Sequence, residues 1–312
     1  MSVALPPAIF LMGPTASGKT GLAVELVQTM PVEIISVDSA LVYRDMNIGT
    51  AKPTEDILAQ APHHLIDIIA PTDVYSAAHF RTDAIRLMAD ITSRGKTPLL
   101  VGGTMLYFKA LQQGLSGLPE ANPEVRAQLD ADAERIGWPE MHARLAKIDP
   151  NTAARLQPAD SQRIQRALEV YQISGKTMSE LFSLQLLESL PYRLLKLALQ
   201  PSDRAVLHQR IAIRFEEMMQ HGLLEEVKQL LKTYPSLHAD TTSMRCVGYR
   251  QTLDYMAQTI SYAEWRDQGV AATRQLAKRQ LTWLRGMDDT VEIDCLDPAL
   301  FKLTQTAIRD FL

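Results

Sequence analysis

The sequence predicts an α/β protein in which helices flank a parallel sheet, with an all-helical insertion. In its N-terminal third, short apolar runs alternate with amphipathic stretches, which indicates strands joined by helices. Residues 122–186 instead show a run of short helical patterns with no strand pattern, and apolar alternation returns at 192–200. We therefore predict a core domain at residues 1–116 and 192–312, and a helical insertion domain at 117–191.

The elements of the core domain follow from local patterns. The expected strands are AIFLM, VEIISVD, HHLIDII, TPLLVGG, YRLLKLALQ and a last short TVEIDC. The expected helices are one that begins at Lys19, one through AAHFRTDAIRLMADI, and later 203–220, 223–233, 243–257 and 262–285. Because parallel sheets bind ligands at the carboxyl ends of their strands, we expect one crevice to contain the loop 13–20, Asp38-Ser39 and Gly102-Gly103-Thr104.

A phosphate loop follows the first strand, since GPTASGKT matches G-x-x-x-x-G-K-[ST] in full between a strand and a helix. Its backbone amides and the helix N-terminus favour phosphate, Lys19 adds a positive charge, and Thr20 can bind Mg²⁺. The motif predicts a P-loop NTPase-like core and is typical of nucleotide-binding and ATP-binding proteins. The expected phosphate ligands are Gly13, Pro14, Thr15, Ala16, Ser17, Gly18, Lys19 and Thr20.

A kinase or ATPase would need a second strand that ends in an acidic residue to position the metal. The strand PLLVGG ends in Gly102-Gly103-Thr104 instead, which weakens that reading. Asp38 is the remaining acidic candidate. It can serve as a turn or helix cap, but a carboxylate across the crevice from a phosphate loop is better explained by chemistry.

Composition argues mildly against a broad nucleic-acid surface, because 32 Lys and Arg face 36 Asp and Glu and give a net charge of −4. Residues 243–286 nevertheless form a basic stretch. Cys246 and Cys295 lie too far apart in sequence to suggest a zinc cluster or disulfide framework, and His63 and His64 are better explained as structural or surface residues. No signal peptide or membrane span is predicted, so we expect a cytoplasmic protein.

Seven motifs carry a family resemblance: GPTASGKT, SVDSALVYRDMNIGTAKP, HHLIDI, GGTMLYFKAL, QRIQRALEV, RCVGYRQ and TRQLAKRQLTWLR. In this order, from the loop to residue 286, they resemble the bacterial tRNA dimethylallyltransferases, also called tRNA isopentenyltransferases. The resemblance implies transfer of a dimethylallyl group from dimethylallyl diphosphate to N6 of adenosine 37 in tRNA, with release of diphosphate. It also implies a Mg²⁺ cofactor bound through Thr20, and we expect a monomer that binds the tRNA anticodon stem-loop.

The resemblance assigns three catalytic residues. Asp38 would accept a proton from the N6 amine, Thr15 would hydrogen-bond near the bridging oxygen of the donor, and Thr104, after a flexible Gly-Gly, would line the channel where the substrates meet. Arg210 and Arg214 lie one helical turn apart, so both can face the diphosphate. We favour Arg214, although for this pair a merely solvated face is an equal alternative.

The target adenine must leave its stack to reach a buried carbon. The resemblance implies RNA contacts at Asp38, Ser39, Ala40 and Leu41; at Gln162, Arg163, Ile164, Gln165 and Arg166; at Arg245, Cys246, Val247, Gly248, Tyr249 and Arg250; and at Arg274, Lys278, Arg279 and Arg285. Tyr249 is expected to stack on a base. In the helix 161–173, Ile164, Leu168 and Tyr171 are expected to face inward. Two alternatives stay open. The acidic insertion could be a plain helical cap, and the row of Arg274, Lys278 and Arg285 could be a merely solvated face.

Three rival functions are a small-molecule kinase or ATPase, a prenyltransferase that acts on free adenine nucleotides, and a non-catalytic RNA-binding module. ATP turnover without a prenyl donor would favour the first. The helical insertion and the basic helix argue against the second, and a phosphate loop beside Asp38 argues against the third.

Overall fold

The computed structural model describes residues 5–114, 118–183 and 190–312. The chain forms two compact units, one of Met1–Gln112 with Leu190–Leu312 and the other of Gln113–Ser189. The insertion boundary that we predict at Gly117 lies outside the described residues, as do residues 184–186 of the predicted helical run. No helix of the described residues is long and apolar enough to cross a bilayer.

The first unit is built on a six-stranded sheet in which every pair of neighbours is parallel. The strands are β1 (Pro7–Met12), β2 (Val32–Val37), β3 (His63–His64), β4 (Thr97–Gly102), β5 (Arg193–Gln200) and β6 (Thr290–Asp294). Their spatial order is β3-β2-β4-β1-β5-β6, which places β1 and its phosphate loop between β4 and β5. The predicted α/β fold with a parallel sheet is confirmed.

Fourteen α-helices occur in the described residues, together with a 3₁₀ turn at Ser243–Arg245. They are α1 (Lys19–Thr29), α2 (Glu55–Gln60), α3 (Ala77–Ser93), α4 (Met105–Gln113), α5 (Pro123–Ile136), α6 (Trp138–Ile148), α7 (Pro150–Ala153), α8 (Ser161–Ser174), α9 (Met178–Ser183), α10 (Arg204–Gln220), α11 (Leu223–Thr233), α12 (Tyr249–Met256), α13 (Tyr262–Arg285) and α14 (Leu300–Phe311).

Helices cover both faces of the sheet, which explains why β1 is apolar along its length. Ile9 and Leu11 pack on one face with residues of α1 and α14. Phe10 and Met12 point to the opposite face, where they join residues of α3, α4, α10 and α13. Alternate side chains of a strand leave opposite faces of a sheet, so a strand covered on both sides must be apolar throughout.

Two predicted elements differ from the structure, and α2, α4 and α14 have no predicted counterpart. The strand predicted at HHLIDII ends after His64, because Leu65 and Asp67 adopt left-handed φ values of 64° and 57° that a strand cannot contain. The helix predicted at 243–257 is broken, because Gly248 has a φ of 94° and α12 begins only after it.

The second unit has its own apolar core between α5, α6, α7 and α8, with Leu129, Met141, Ile164 and Leu168 buried. Of the three residues expected to face inward from α8, Ile164 and Leu168 do so. The prediction for Tyr171 is wrong, because this residue is 38% exposed.

Candidate active site

A cavity of about 1000 Å³ opens at the carboxyl ends of β1, β2 and β4. The phosphate loop, the turn after β2 and the turn after β4 all line it, as do residues of α10 and α13. Its remaining wall includes Gly49, Thr50, Ala51, Pro53, His63, Thr242, Arg245, Cys246 and Val247. The three stretches that we expected to share one crevice therefore lie around one cavity.

The phosphate loop turns sharply between β1 and α1. Gly18 adopts a φ of 84° and Ala16 a φ of 63°, and this left-handed backbone is costly for a residue with a side chain. Ser17 is buried inside the turn, whereas Thr20 is exposed in the first turn of α1 and lines the cavity. The loop thus presents the start of a helix, with its free N–H groups, to the cavity.

Lys19 folds back over the phosphate loop. Its ammonium group donates hydrogen bonds to the carbonyl oxygens of Gly13 at 2.8 Å and Pro14 at 2.6 Å. Burial lowers the pKa of Lys19 to about 8, with the charge of Arg214 acting in the same direction and that of Asp38 opposing it. The protein alone therefore holds this charge weakly, and an anion beside it would stabilise the protonated form.

Asp38 follows β2 directly and closes a turn. Its Oδ1 accepts hydrogen bonds from the backbone N–H groups of Ala40 at 2.8 Å and Leu41 at 3.4 Å. Burial raises the pKa of Asp38, and this outweighs the two hydrogen bonds and the nearby charges of Lys19 and Arg214. Asp38 is thus a turn cap as well as a carboxylate with increased proton affinity, a combination that suits a general base.

The turn after β4 brings Thr104 to the same cavity, where its Oγ1 accepts a hydrogen bond from the Ser39 N–H at 3.0 Å. Gly102 and Gly103, expected to be flexible, are closely packed in this turn. A Cβ at Gly102 would lie 2.0 Å from a carbonyl oxygen of β2, and one at Gly103 would lie 2.3 Å from the side-chain nitrogen of Gln280. The backbone of β2 excludes any side chain at Gly102, and a side chain at Gly103 would displace the amide of Gln280.

Both arginines of α10 line the cavity, but their surroundings differ. Arg210 is exposed, whereas Arg214 is half-buried. Burial lowers the pKa of Arg214, and this guanidinium interacts electrostatically with Asp38 and Lys19. Arg214 is therefore the arginine of the pair that lies within electrostatic reach of both Lys19 and Asp38.

Glu226 is a residue of this site that the sequence analysis missed. Its carboxylate accepts the phenol hydrogen of Tyr249 at 2.6 Å and three backbone N–H groups, at 2.8, 2.7 and 3.1 Å, from Asn47, Ile48 and Gly49. It thereby holds the segment that continues into the cavity wall at Gly49–Ala51. No local pattern marks Glu226, because its partners lie up to 179 positions away.

The prediction that Tyr249 stacks on a base is wrong. Its side chain is fully buried, and a Cβ at Gly49 would lie 2.5 Å from its ring. The rest of RCVGYR divides by exposure: Arg245 and Arg250 are exposed, Cys246 and Val247 are half-buried at the cavity wall, and Gly248 is buried. Burial and the charge of Asp38 raise the pKa of Cys246 to about 12, so this cysteine stays a neutral thiol.

Arg274, Lys278 and Arg285 form an exposed basic face along α13, and Arg279 is exposed on another side of the helix, toward the cavity. Next to it, Trp283 is 42% exposed and lines the cavity, and its ring lies 5.8 Å from the ammonium nitrogen of Lys109. Of these residues, Arg279 and Trp283 line the cavity, whereas Arg274, Lys278 and Arg285 are not part of its wall.

The residues proposed to contact RNA from α8 are mostly engaged within their own unit. Gln162 and Arg163 are exposed, but Arg163 forms an ion pair with Asp160 at 2.5 Å. Gln165 donates to an Asp130 carboxylate oxygen at 2.6 Å. Ile164 is fully buried, so the prediction that its side chain contacts RNA is wrong.

Arg166 has an internal structural role in the same unit. It donates to the carboxylate of Glu169 at 2.7 Å and to a backbone carbonyl, that of Pro119, at 2.6 Å. Glu169 is fully buried and also binds Arg126. The charge of Arg166 is therefore largely compensated by the protein itself.

Comparison with known proteins gives the same family throughout. Residues 41–287 match the family model described as IPP transferase. A tRNA dimethylallyltransferase of Methylobacillus flagellatus is 71% identical over 312 residues, covering 100% of this chain and 99% of its own length. That of Chromobacterium violaceum is 59% identical over 307 residues, covering 98% of this chain and 94% of its own length.

Two solved structures are similar along almost the whole chain. A tRNA isopentenylpyrophosphate transferase from Bacillus halodurans shares 33% identity, with a TM-score of 0.70 and 97% of each chain covered. A eukaryotic dimethylallyltransferase acting on tRNA shares 28% identity, with a TM-score of 0.80, 98% of this chain covered and 79% of the other.

Proposed function

We propose that this chain, which belongs to the IPP transferase family, transfers the dimethylallyl group of dimethylallyl diphosphate to N6 of adenosine 37 in tRNA and releases diphosphate. The family resemblance drawn from the sequence motifs is confirmed by the matching relatives. The observation that carries the proposal is that the phosphate loop with Lys19, the guanidinium of Arg214 and the carboxylate of Asp38 line one cavity. The loop and the two cations suit a leaving diphosphate, and the carboxylate suits an amine that must lose a proton.

The diphosphate side works by charge neutralisation. As the allylic carbon–oxygen bond breaks, negative charge grows on the departing diphosphate, and donors fixed in advance at that position lower the barrier. The amides at the start of α1, the ammonium group of Lys19 and the guanidinium of Arg214 supply such donors. Because burial lowers the pKa of Lys19 to about 8, bound diphosphate also strengthens its own binding by keeping Lys19 protonated.

Mg²⁺ is the expected cofactor, with Thr20 as its protein ligand. The fit is reasonable, because the exposed Thr20 side chain, in the first turn of α1, offers a hard oxygen donor beside the phosphate site. Mg²⁺ commonly takes one or two protein ligands and completes its shell with substrate phosphates and water. When bound, it would add positive charge at the leaving group.

Asp38 acts on the acceptor amine. The N6 amine of adenine is a poor nucleophile, because its lone pair is delocalised into the ring. A carboxylate that takes the N6 proton as the new carbon–nitrogen bond forms removes the positive charge from nitrogen. The raised pKa of Asp38 makes it a stronger base than an exposed aspartate, while Oδ1 stays fixed by the turn at Ala40 and Leu41.

The RNA binds to the exposed cations of α13, and its flipped adenine enters the cavity. Arg274, Lys278, Arg279 and Arg285 of α13 are available for phosphate contacts, which provide affinity without sequence information. The backbone of residues 38–41 is available to the flipped base, and Arg245 and Arg250 to nearby RNA groups. In the insertion, Gln162 and Arg163 are the exposed candidates for contacts with the anticodon stem-loop. A cytoplasmic location and a monomeric state remain predictions.

The proposal is tested by incubating the protein with an anticodon stem-loop, dimethylallyl diphosphate and Mg²⁺, followed by mass spectrometry of the nucleosides. We expect N6-dimethylallyladenosine at position 37 and one equivalent of diphosphate. A matched stem-loop with guanosine at position 37 should stay unmodified. Unmodified RNA together with ATP turnover in the absence of a prenyl donor would instead favour a kinase or ATPase.

A further inference from the structure

Gln280 lies on α13 between the exposed Arg279 and the buried Leu281, and its own side chain is buried, with 9% of the residue exposed. Its Oε1 accepts a hydrogen bond from the Thr15 N–H at 2.8 Å. Its Nε2 donates to the carbonyl oxygen of Gly103 at 3.0 Å. One side-chain amide therefore joins the phosphate loop to the turn after β4.

The surroundings of Gln280 are shaped for an amide. The missing side chain of Gly103 makes room for it, because a Cβ there would lie 2.3 Å from Nε2. An amide offers an acceptor and a donor on one planar group, and here the acceptor meets an N–H and the donor meets a carbonyl. A buried side chain of this kind is held to its partners, because leaving either of them unpaired costs free energy.

The phosphate loop needs external support at this point. Thr15 lines the cavity, and the next residue, Ala16, has a φ of 63°, a conformation that persists in residues other than glycine only when the surrounding structure enforces it. With its N–H bound to Gln280, the peptide of Thr15 has a fixed plane. This plane sets the direction of the Thr15 side chain and the start of the loop that follows.

We propose that Gln280 is a positioning residue that fixes the Thr15 peptide, so that the phosphate loop is preformed for diphosphate. The proposal rests on the proposed function only for the identity of the diphosphate as a leaving group. Since α13 also carries the basic face, Gln280 connects the helix expected to bind RNA with the loop expected to bind the donor.

The test measures the affinity for inorganic diphosphate with Mg²⁺ across a pH series, with each variant compared with the wild type at the same pH. Gln280→Leu removes both hydrogen bonds and adds no charge. Gln280→Glu reproduces the acceptor and the donor when its carboxyl group is protonated, but loses the donor when it ionises. Gln268→Glu makes the same substitution at an exposed position of the same helix and serves as the control.

We expect Gln280→Leu to bind diphosphate about tenfold more weakly at every pH, the order of effect when one or two hydrogen bonds that order a loop are lost. Gln280→Glu should match the wild type at low pH and lose about tenfold or more once it ionises. Gln268→Glu should follow the wild type. Single-turnover transfer at saturating donor should fall in parallel, because a displaced Thr15 no longer meets the bridging oxygen.

Wild-type affinity in Gln280→Leu would overturn the proposal, because the hydrogen bonds would then have no bearing on the loop. An equal loss at every pH in Gln280→Glu would also overturn it, since restoring the donor should restore the loop. If Gln280→Leu fails to fold, as judged by its melting curve, the pH series of Gln280→Glu decides alone. Diphosphate binding needs no RNA, so a failure of the wild type to prenylate RNA would contradict the proposed function and leave this test intact.

Discussion

Two carboxylates of this molecule, the half-buried Asp38 and the fully buried Glu169, have pKa values shifted in opposite directions. In the cavity, burial raises the pKa of Asp38 despite two backbone hydrogen bonds and two nearby cations. In the helical insertion, burial also acts to raise the pKa of Glu169, but hydrogen bonds from Arg126, Arg166 and the Asn122 N–H outweigh it and lower the pKa. One carboxylate is poorly compensated, and the other is fully paired.

The difference distinguishes the candidate active site around Asp38 from the structural helical insertion around Glu169. A paired, hydrogen-bonded charge stabilises the fold and has little left to offer a ligand. A group whose ionised form is disfavoured by burial lowers the stability of the fold, but it interacts favourably with a substrate that brings an opposite charge or a proton. By this criterion Lys19, Asp38 and Arg214 belong to the chemistry, and Arg166, which resembles an RNA contact in sequence, belongs to the architecture of its unit.

The largest expected effect is that of Asp38→Asn. The substitution keeps shape and removes the base, so single-turnover transfer at saturating substrates should fall by roughly 10²–10⁴. Donor affinity should be retained or rise, because the carboxylate makes no favourable contact with the anionic diphosphate. In the wild type, the rate should rise with pH as Asp38 loses its proton. A near-normal rate in Asp38→Asn would exclude the base assignment, and loss of donor binding with intact chemistry would indicate a metal-positioning role.

Glu169→Gln makes the same carboxylate-to-amide change in the scaffold and should have the converse effect. Removing one partner of a buried, hydrogen-bonded pair is expected to cost about 2 kcal/mol of the free energy of unfolding. The rate of the folded variant at saturating RNA should stay near that of the wild type. Thermal or denaturant unfolding of both variants provides the check, since Asp38→Asn should leave stability unchanged or raise it. Equal losses of stability would remove the distinction between the two regions.

The pH dependence of donor binding tests the role of Lys19. Because the pKa of Lys19 lies at about 8, its charge is lost as pH rises through that value, and diphosphate affinity should fall about tenfold between about pH 7 and pH 9. The free energy of unfolding should instead rise with pH between about pH 8 and the ordinary lysine pKa of 10.5, because in that range the unfolded chain binds more protons at Lys19 than the folded chain does. Lys19→Arg keeps the charge and should bind diphosphate with a weaker dependence on pH. A wild-type affinity that stays flat across this range would contradict the assignment.

The smallest effects are expected on the basic face of α13. Lys278→Ala and Arg274→Ala should each weaken stem-loop binding a few-fold and reduce the salt slope by about one unit at most. Turnover at saturating RNA should change little. Arg166→Ala is the contrasting variant, because its guanidinium is bound to Glu169 and should affect stability more than the salt slope. Unchanged RNA affinity in the Lys278 and Arg274 double variant would show that the face is only solvated.

Features that depend on interactions between residues close in sequence could be predicted, and features that depend on residues far apart in sequence could not. GPTASGKT, the strand that ends at Asp38 and the break before the insertion are visible because each is encoded within a few consecutive residues. Tyr249 was misjudged because tyrosine suits both a buried contact with a hydroxyl partner and an exposed stacking surface. The strand at HHLIDII was overextended because its apolar pattern gives no sign of the left-handed turns at Leu65 and Asp67.

Local sequence thus fixed the parallel sheet, the phosphate loop and the placement of Asp38 at a strand end, since strand patterns and glycine turns act over short distances. Tertiary structure decided which charges stay uncompensated. Gln280 meets Thr15 across 265 positions and Glu226 meets Gly49 across 177, and whether Arg166 faces RNA or Glu169 depends on how α8 packs within its unit. Burial and partners set the free energy of a charge, and both exist only once the chain has folded.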